Sequence, residues 1–221
     1  MTSTEATTVH DVAHEHLLST FASLKAGLKL FAIPLDGGMG RLVPVTERHD
    51  GDAALRATFA RWRTDNAFAF PTQFTVTLEG TARWLRKGLL DVPDRLLFLV
   101  EAPDGTPVGH LGFANCAAVP GVMEIDNVVR GVKTGAPGIM TAALQGLTDW
   151  ATREFSPREI FLRVFSDNGH AVRFYERCGY RHDTLLPLRR TSSNGAVNFT
   201  PPVDGDIAPP DTHFARMVLQ R

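Results

Sequence analysis

Cysteine, net charge and long apolar runs are all scarce in this chain. Only Cys116 and Cys178 occur among its 221 residues. They stand far apart, with neither a C-x-x-C nor a Cys/His ligand spacing, which argues against a disulfide framework and against a structural zinc site. Two reduced, buried thiols are the expectation. The formal charge is −1, so no global basic field concentrates phosphate backbones or anionic lipid, and neither nucleic acid nor a membrane is an expected partner. The most apolar early stretch, LLSTFASLKAGLKLFAIPL, contains Lys25 and Lys29 and breaks at Pro34. It is too short and too charged to span a bilayer. The N-terminus, MTSTEATTVHDVAHEH, has no basic segment ahead of an apolar run, so it does not read as a secretory signal, and a cytoplasmic location is expected.

What is present suffices for one good core, with 43% hydrophobic and 21% charged residues. In the early apolar stretch Leu17, Phe21, Leu24 and Leu28 recur at helical spacing, which predicts an amphipathic helix docked on the domain or on a second copy in a homodimer. Residues 1–40 are expected to form this helical extension and 41–221 the main domain. RLVPVTERH reads as a strand, and DAALRATFARWRTDNAF as a helix with Leu55, Phe59 and Trp62 on one stripe. A second helix is expected from Thr77, with Ala82, Leu85 and Leu89 on its apolar face. Three strand-like runs follow, RLLFLVEA, VGHLGFANCAA and VMEIDNVV, the first two joined at a Pro103-Asp104-Gly105 turn. After the glycine-rich loop GVKTGAPGIM the period changes. Met140, Ala143, Leu144, Leu147, Trp150 and Ala151 then mark a helix. EIFLRVFS, a helix within SDNGHAVRFYERCGY, and the closing strands YRHDTLLPLRR and HFARMVLQR complete the chain. This alternation predicts an α/β fold, one mixed and mostly antiparallel twisted sheet of about six to seven strands flanked by helices. Residues 191–212, rich in Pro, Gly, Asp and Ser, are expected to form a long loop, either mobile or a lid.

Chemistry gathers in three places. The loop VVRGVKTGAPGIM precedes a helix, whose exposed N–H groups favour an anion such as a pyrophosphate. Gly131, Gly135 and Gly138 would let the backbone approach a ligand. The loop is neither a Walker loop nor a dinucleotide fingerprint. On VMEIDNVV, Glu124 and Asp126 lie two apart, hence on one face and within ~7 Å of each other. Either a base in a partly buried cleft or a pair of solvated charges accounts for them. A bulge in this strand would undo the facing. In SDNGHAVRFYERCGY, Ala171, Phe174 and Cys178 form a stripe with Tyr175 at its border, so Tyr175 is either a packed core ring or a hydroxyl aimed at a cleft. Asn168 suits a helix N-cap. Elsewhere His10, His14 and His16 offer imidazoles one turn apart with no distant third ligand, so no metal is expected. His110, His170, His182 and His213 read as exposed or structural, and Ser166 lacks the glycine-flanked elbow of a serine hydrolase.

The order strand, glycine-rich loop, helix ending in DWA, strand and then D-N-x-x-A-x-x-F-Y-x-x-x-G-Y resembles the GCN5-related N-acetyltransferase family across roughly residues 41–221. That resemblance implies direct acyl transfer from acetyl-CoA, the acyl-donor co-substrate, to a primary amine of a small molecule. The cofactor's pantetheine arm would lie in a V-shaped opening between two parallel central strands. It implies Tyr175 as the acid for the departing thiolate, Glu124 as the base with Asp126 close behind, and Asn168 as a contact to the arm. A backbone N–H near Val128 or Val129 would polarise the carbonyl. The family's loop usually reads Arg or Gln, two residues, Gly, one residue, then Gly or Ala. Aligning on Trp150 places Gly135, Ala136, Pro137, Gly138, Ile139 and Met140 there, so Gly135 replaces the basic or amide residue and Met140 the small one. Arg130 and Lys133 would supply the charge, with Gly135, Ala136, Gly138, Ile139 and Met140 along the pyrophosphate. A lower-grade resemblance suggests a nucleotide-linked amino sugar as acceptor, contacted by Arg189 and Arg190. An aminoglycoside, a polyamine, a protein amine or a non-catalytic acyl-CoA-binding module are the alternatives.

Overall fold

The structure is a computed structural model that describes residues 3–133 and 137–220, with side chains from residue 13 onward. Helix α1 (Ser3–Ala26) is followed by β1 (Ile33–Pro34), β2 (Arg41–Pro44) and α2 (Ala53–Asp65). Next come β3 (Thr72–Gln73) and α3 (Leu78–Arg83), which runs on as a π-helical segment through Trp84–Leu90. Then follow β4 (Leu96–Glu101), β5 (Pro107–Ala114), β6 (Val122–Arg130), α4 (Ile139–Phe155) and β7 (Glu159–Phe165). The chain closes with α5 (Gly169–Arg177), β8 (Tyr180–Ser193), β9 (Ala196–Thr200) and β10 (Thr212–Leu219).

Side chains with polar caps start the helices where the apolar period begins. Asp52 accepts from the Leu55 amide at 2.9 Å, and Thr77 accepts from the Gly80 amide at 3.0 Å. Helix α1 stops sooner than its apolar spacing suggests, because Gly27 takes a left-handed φ of 67°. Leu17 and Phe21 are buried as expected, but Leu28 lies beyond the helix and is 75% exposed. Lys25 is buried instead, its Nζ donating to the Val92 carbonyl at 2.6 Å.

The sheet has ten strands in the order β1-β2-β4-β5-β6-β7-β10-β8-β9-β3, rather than six or seven. Two of the additional strands, β1 and β3, have two residues each and are too short to show alternation. The third, β9, corrects the reading of 191–212 as one loop. Asn194 and Gly195, at φ 51° and 75°, turn β8 back into β9, which also pairs with β3. The rest of that stretch is held down by Arg189, whose Nη2 reaches Asp206 at 2.6 Å.

Both faces of the central strands are covered. In β4, Leu96, Phe98 and Val100 face a core shared with α1, α4 and α5, while Leu97 and Leu99 face a second cluster with Leu55, Phe59, Trp62, Leu85 and Leu89. Near-continuous apolar runs are what two-sided burial requires. Cys116 and Cys178 are both free thiols buried in the larger core.

Candidate active site

The one parallel pair among the described strands, β6 with β7, is also the pair that comes apart. Its register runs from Val122 to Ile125 against Glu159 to Leu162. Beyond that point β6 continues on β5 and β7 continues on β10, so Asp126–Arg130 and Arg163–Phe165 diverge. A bulge accompanies the divergence: the β5 register shifts between His110 and Gly112, opposite Asp126 to Val129. Asn127 sits in the left-handed region at φ 52°, and its carbonyl lies 2.7 Å from His110 Nδ1. Bulges re-aim a strand and raise its twist. This one begins only after Asp126, so Glu124 and Asp126 do share a face.

The two carboxylates have different surroundings. Glu124, the candidate favoured by resemblance, is buried, and its oxygens accept from Arg163 Nε at 2.7 Å, Arg163 Nη2 at 3.1 Å and Asn115 Nδ2 at 2.7 Å. Three donors occupy it. Asp126 has a side chain 34% exposed and accepts from Arg95 and from Asn127 Nδ2, both through Oδ2. Among the described residues nothing is hydrogen-bonded to its Oδ1. Asp126, and not Glu124, therefore stands at the cavity described below.

Helix α5 approaches the opening from the opposite face. Asn168 caps it, Oδ1 accepting from the Ala171 amide at 3.2 Å, which leaves its side-chain amide group for another partner. Tyr175, expected at the border of the apolar stripe, is more buried than Phe174. Its ring lies 6.1 Å from that of Tyr180. Burial first, and the nearby Asp126 charge second, push the Tyr175 hydroxyl well above its usual range. It holds its proton throughout the physiological span.

The strand-to-helix loop is described only in part, and Gly135 and Ala136 lie outside the described residues. Gly138 precedes α4 with φ 85°, a conformation that a side chain would strain. Ile139 and Met140 turn their side chains into the core, so Met140 does not project into the space ahead of the helix. The first-turn amides of α4 have no intrahelical acceptors, as at any helix start. Gly131 has another purpose than ligand approach: a Cβ there would fall 1.9 Å from the Trp62 ring. Arg130 donates to the Val132 carbonyl at 3.0 Å and to that of Lys133, whose own side chain is exposed. Val128 packs partly against the larger core and Val129 is buried on the other face.

Below Asp126, on the α2/α3 face, lies a cavity of about 240 Å³. Its walls include Phe59, Arg63, Phe70, Phe74, Trp84, Arg95 and His110. His110 stands edge-on to Phe59, 5.5 Å between centroids. Burial pushes its imidazole down from 6.5 to about 4, so it is neutral, with Nδ1–H donating to the Asn127 carbonyl and Nε2 left as an acceptor. Of these wall residues the sequence singles out only His110 and, as part of an apolar stripe, Phe59. The wall residues come from α2, the π-helical segment, β5 and three loop positions and form no linear motif, although Arg63 and Trp62 do sit side by side on a helix whose apolar stripe is visible. His14, His16, His170, His182 and His213 lie away from this cavity, and among the described residues no cluster of His, Cys, Asp or Glu is arranged to hold a metal. No helix among them is long and apolar enough to cross a membrane.

The family model for the acetyltransferase (GNAT) domain matches residues 41–181. No curated protein matches the sequence. Among solved structures, the chain is similar to a probable acetyltransferase of the GNAT family from Chromobacterium violaceum, at 21% identity over 85% of each chain and a TM-score of 0.58. It is similar to RimL, a ribosomal L7/L12 alpha-N-protein acetyltransferase in complex with coenzyme A, at 14% identity over 86% of this chain and 98% of that one, TM-score 0.58. A further likeness is to the spermidine/spermine N-acetyltransferase SpeG from Vibrio cholerae, at 14% identity over 82% and 92%, TM-score 0.54. At these identities the structures share a fold.

Proposed function

The chain belongs to the GNAT family of acetyltransferases, and from that premise we propose that it transfers an acetyl group from acetyl-CoA to the primary amine of a small acceptor seated beside Asp126. The observation that carries this reading is the opening between β6 and β7, with an aromatic cavity on one face and the α4 N-terminus and Tyr175 on the other. Acetyl-CoA, when bound, supplies a thioester carbonyl and a thiol leaving group. The residues of this chain do the rest.

An amine attacks only when neutral, so its ammonium proton has to leave. Asp126 Oδ1 is the free carboxylate oxygen at the cavity, and it takes that proton directly or through one water. Arg95 and Asn127 fix the other oxygen and so hold the orientation. Tyr175 keeps a proton available at the far end of the opening, where the sulfur departs. The α4 N-terminus, with its partial positive charge and Gly138 leading in, suits the pyrophosphate. Asn168 offers its amide group to the pantetheine arm.

The cavity's size bears on the acceptor. About 240 Å³ lies below the ~300–1,000 Å³ common for ligand pockets, which favours a small molecule over a nucleotide-linked amino sugar. Arg189, one of the two residues expected with Arg190 to meet a diphosphate, is held by Asp206. Thermal-shift measurements with acetyl-CoA and CoA, followed by thiol-release assays with a panel of small primary amines, test the reading. Stabilisation by the CoA compounds and amine-dependent thiol release are expected. No shift with any CoA compound would overturn it, and a shift without thiol release for any amine would make the chain a binding module.

A further inference from the structure

The cavity beside Asp126 carries a charge imbalance that acetyl transfer alone does not require. Two guanidiniums, Arg63 and Arg95, and one carboxylate, Asp126, line it. Arg95 is paired with Asp126. Arg63 has no acidic partner within ion-pair distance among the described residues. Its Nη2 donates to the Thr72 carbonyl at 2.6 Å, and its Nη1 is buried with no hydrogen-bond partner among them. The guanidinium carbon lies over Phe70, 3.5 Å from the ring centroid, and 5.3 Å from that of Phe74. Burial pushes it down to about 10, so it remains charged at neutral pH. His110 beside it is neutral.

Asp126 acts on Arg63 only from beyond ion-pair distance and is itself paired with Arg95, and a partly desolvated cation without a direct carboxylate partner is unfavourable unless something brings one. The surrounding walls of Phe59, Phe70, Phe74 and Trp84 are flat and apolar. We propose that the acceptor is a small primary amine with an aromatic body and a carboxylate, the carboxylate held by Arg63 and the amine turned toward Asp126. This rests on the cavity being the acceptor site. The same charges work against a polyamine, whose second ammonium would be placed against Arg63.

Calorimetric titration of the full-length protein saturated with CoA tests the assignment with two probes that differ only in the carboxylate, N-acetylphenylalanine and N-acetylphenethylamine. A charge-assisted contact of this kind is expected to make the carboxylate probe bind ~10–100-fold more tightly. Arg63→Met should remove that preference, and Arg63→Lys should retain part of it. Equal affinity for the two probes in the unsubstituted protein, or tighter binding of the neutral one, overturns the proposal whatever the variants do. Rates with phenylalanine, phenethylamine and spermidine separate this idea from acetyl transfer itself. A carboxylate preference in binding with no acetylation of any amine leaves the anion site standing and removes the catalytic reading. Acetylation of phenethylamine or spermidine without a carboxylate preference leaves catalysis standing and removes the anion site.

Discussion

Glu124 and Asp126 show how two identical functional groups, two residues apart, acquire different uses. The sequence places both on one face, and it cannot say which neighbours reach them. Arg163, 39 residues onward, and Asn115, 9 residues back, occupy Glu124. Glu124→Gln is therefore expected to lower stability by about 1–3 kcal/mol through the unmatched guanidinium, while turnover per folded molecule stays near that of the unsubstituted protein. Urea unfolding alongside rate measurements at matched folded fraction checks this. A large fall in turnover at full folding would return Glu124 to the chemistry. His110 gives a pH signature. The unfolded chain binds its proton near 6.5 and the folded chain only near 4, so between those values the unfolded state holds more protons and stability falls as pH drops. At about 1.4 kcal/mol per unit, roughly 2 kcal/mol should be lost from this group between pH 7 and 5. His110→Gln should flatten the pH dependence of urea unfolding by that amount, and parallel curves would contradict the assignment.

The elements that the sequence reveals are those with a period and punctuation of their own. Helix α5 begins at an Asn cap and ends before Gly179, and α4 announces itself by i, i+3, i+4 spacing after the loop. Strand β6 is visible as well, but its divergence from β7 is a property of pairing, and no residue in either strand encodes it alone. The β8–β9 hairpin did carry a signal, Asn194-Gly195, which the surrounding proline-rich stretch obscured. The cavity proposed for the acceptor is the least legible part, since Arg63, Trp84 and Asp126 come from three elements and Arg95 from the loop before β4, brought together by the sheet order. At the end of β6 the chain leaves the sheet over Trp62, and Gly131 is small because the indole is there. Gly131→Ala should cost about 1–3 kcal/mol by overpacking, read as a lower urea midpoint with an unchanged slope. An unaltered midpoint would mean that the loop moves aside freely and that the contact does not fix it.

Across the whole molecule the sheet acts as a wall with one gap. The cavity beside Asp126 stands on the α2/α3 face, Tyr175 and the start of α4 on the other, and the proposed reaction places acceptor and thiol at the divergence of β6 from β7. The fold built around this gap was readable from motif order, whereas the acceptor chemistry proposed above rests on wall residues that no motif names. If the two faces cooperate in one reaction, Asp126 and Tyr175 each matter to turnover without holding the cofactor in place. The decisive measurement is the turnover number of Tyr175→Phe and Asp126→Asn at saturating acetyl-CoA, with acetyl-CoA affinity determined on the same preparations. General acid or base groups typically contribute ~10²–10⁴-fold, so both variants should lose at least about tenfold in turnover while binding acetyl-CoA within about threefold of the unsubstituted protein. Undiminished turnover in either variant would contradict the account.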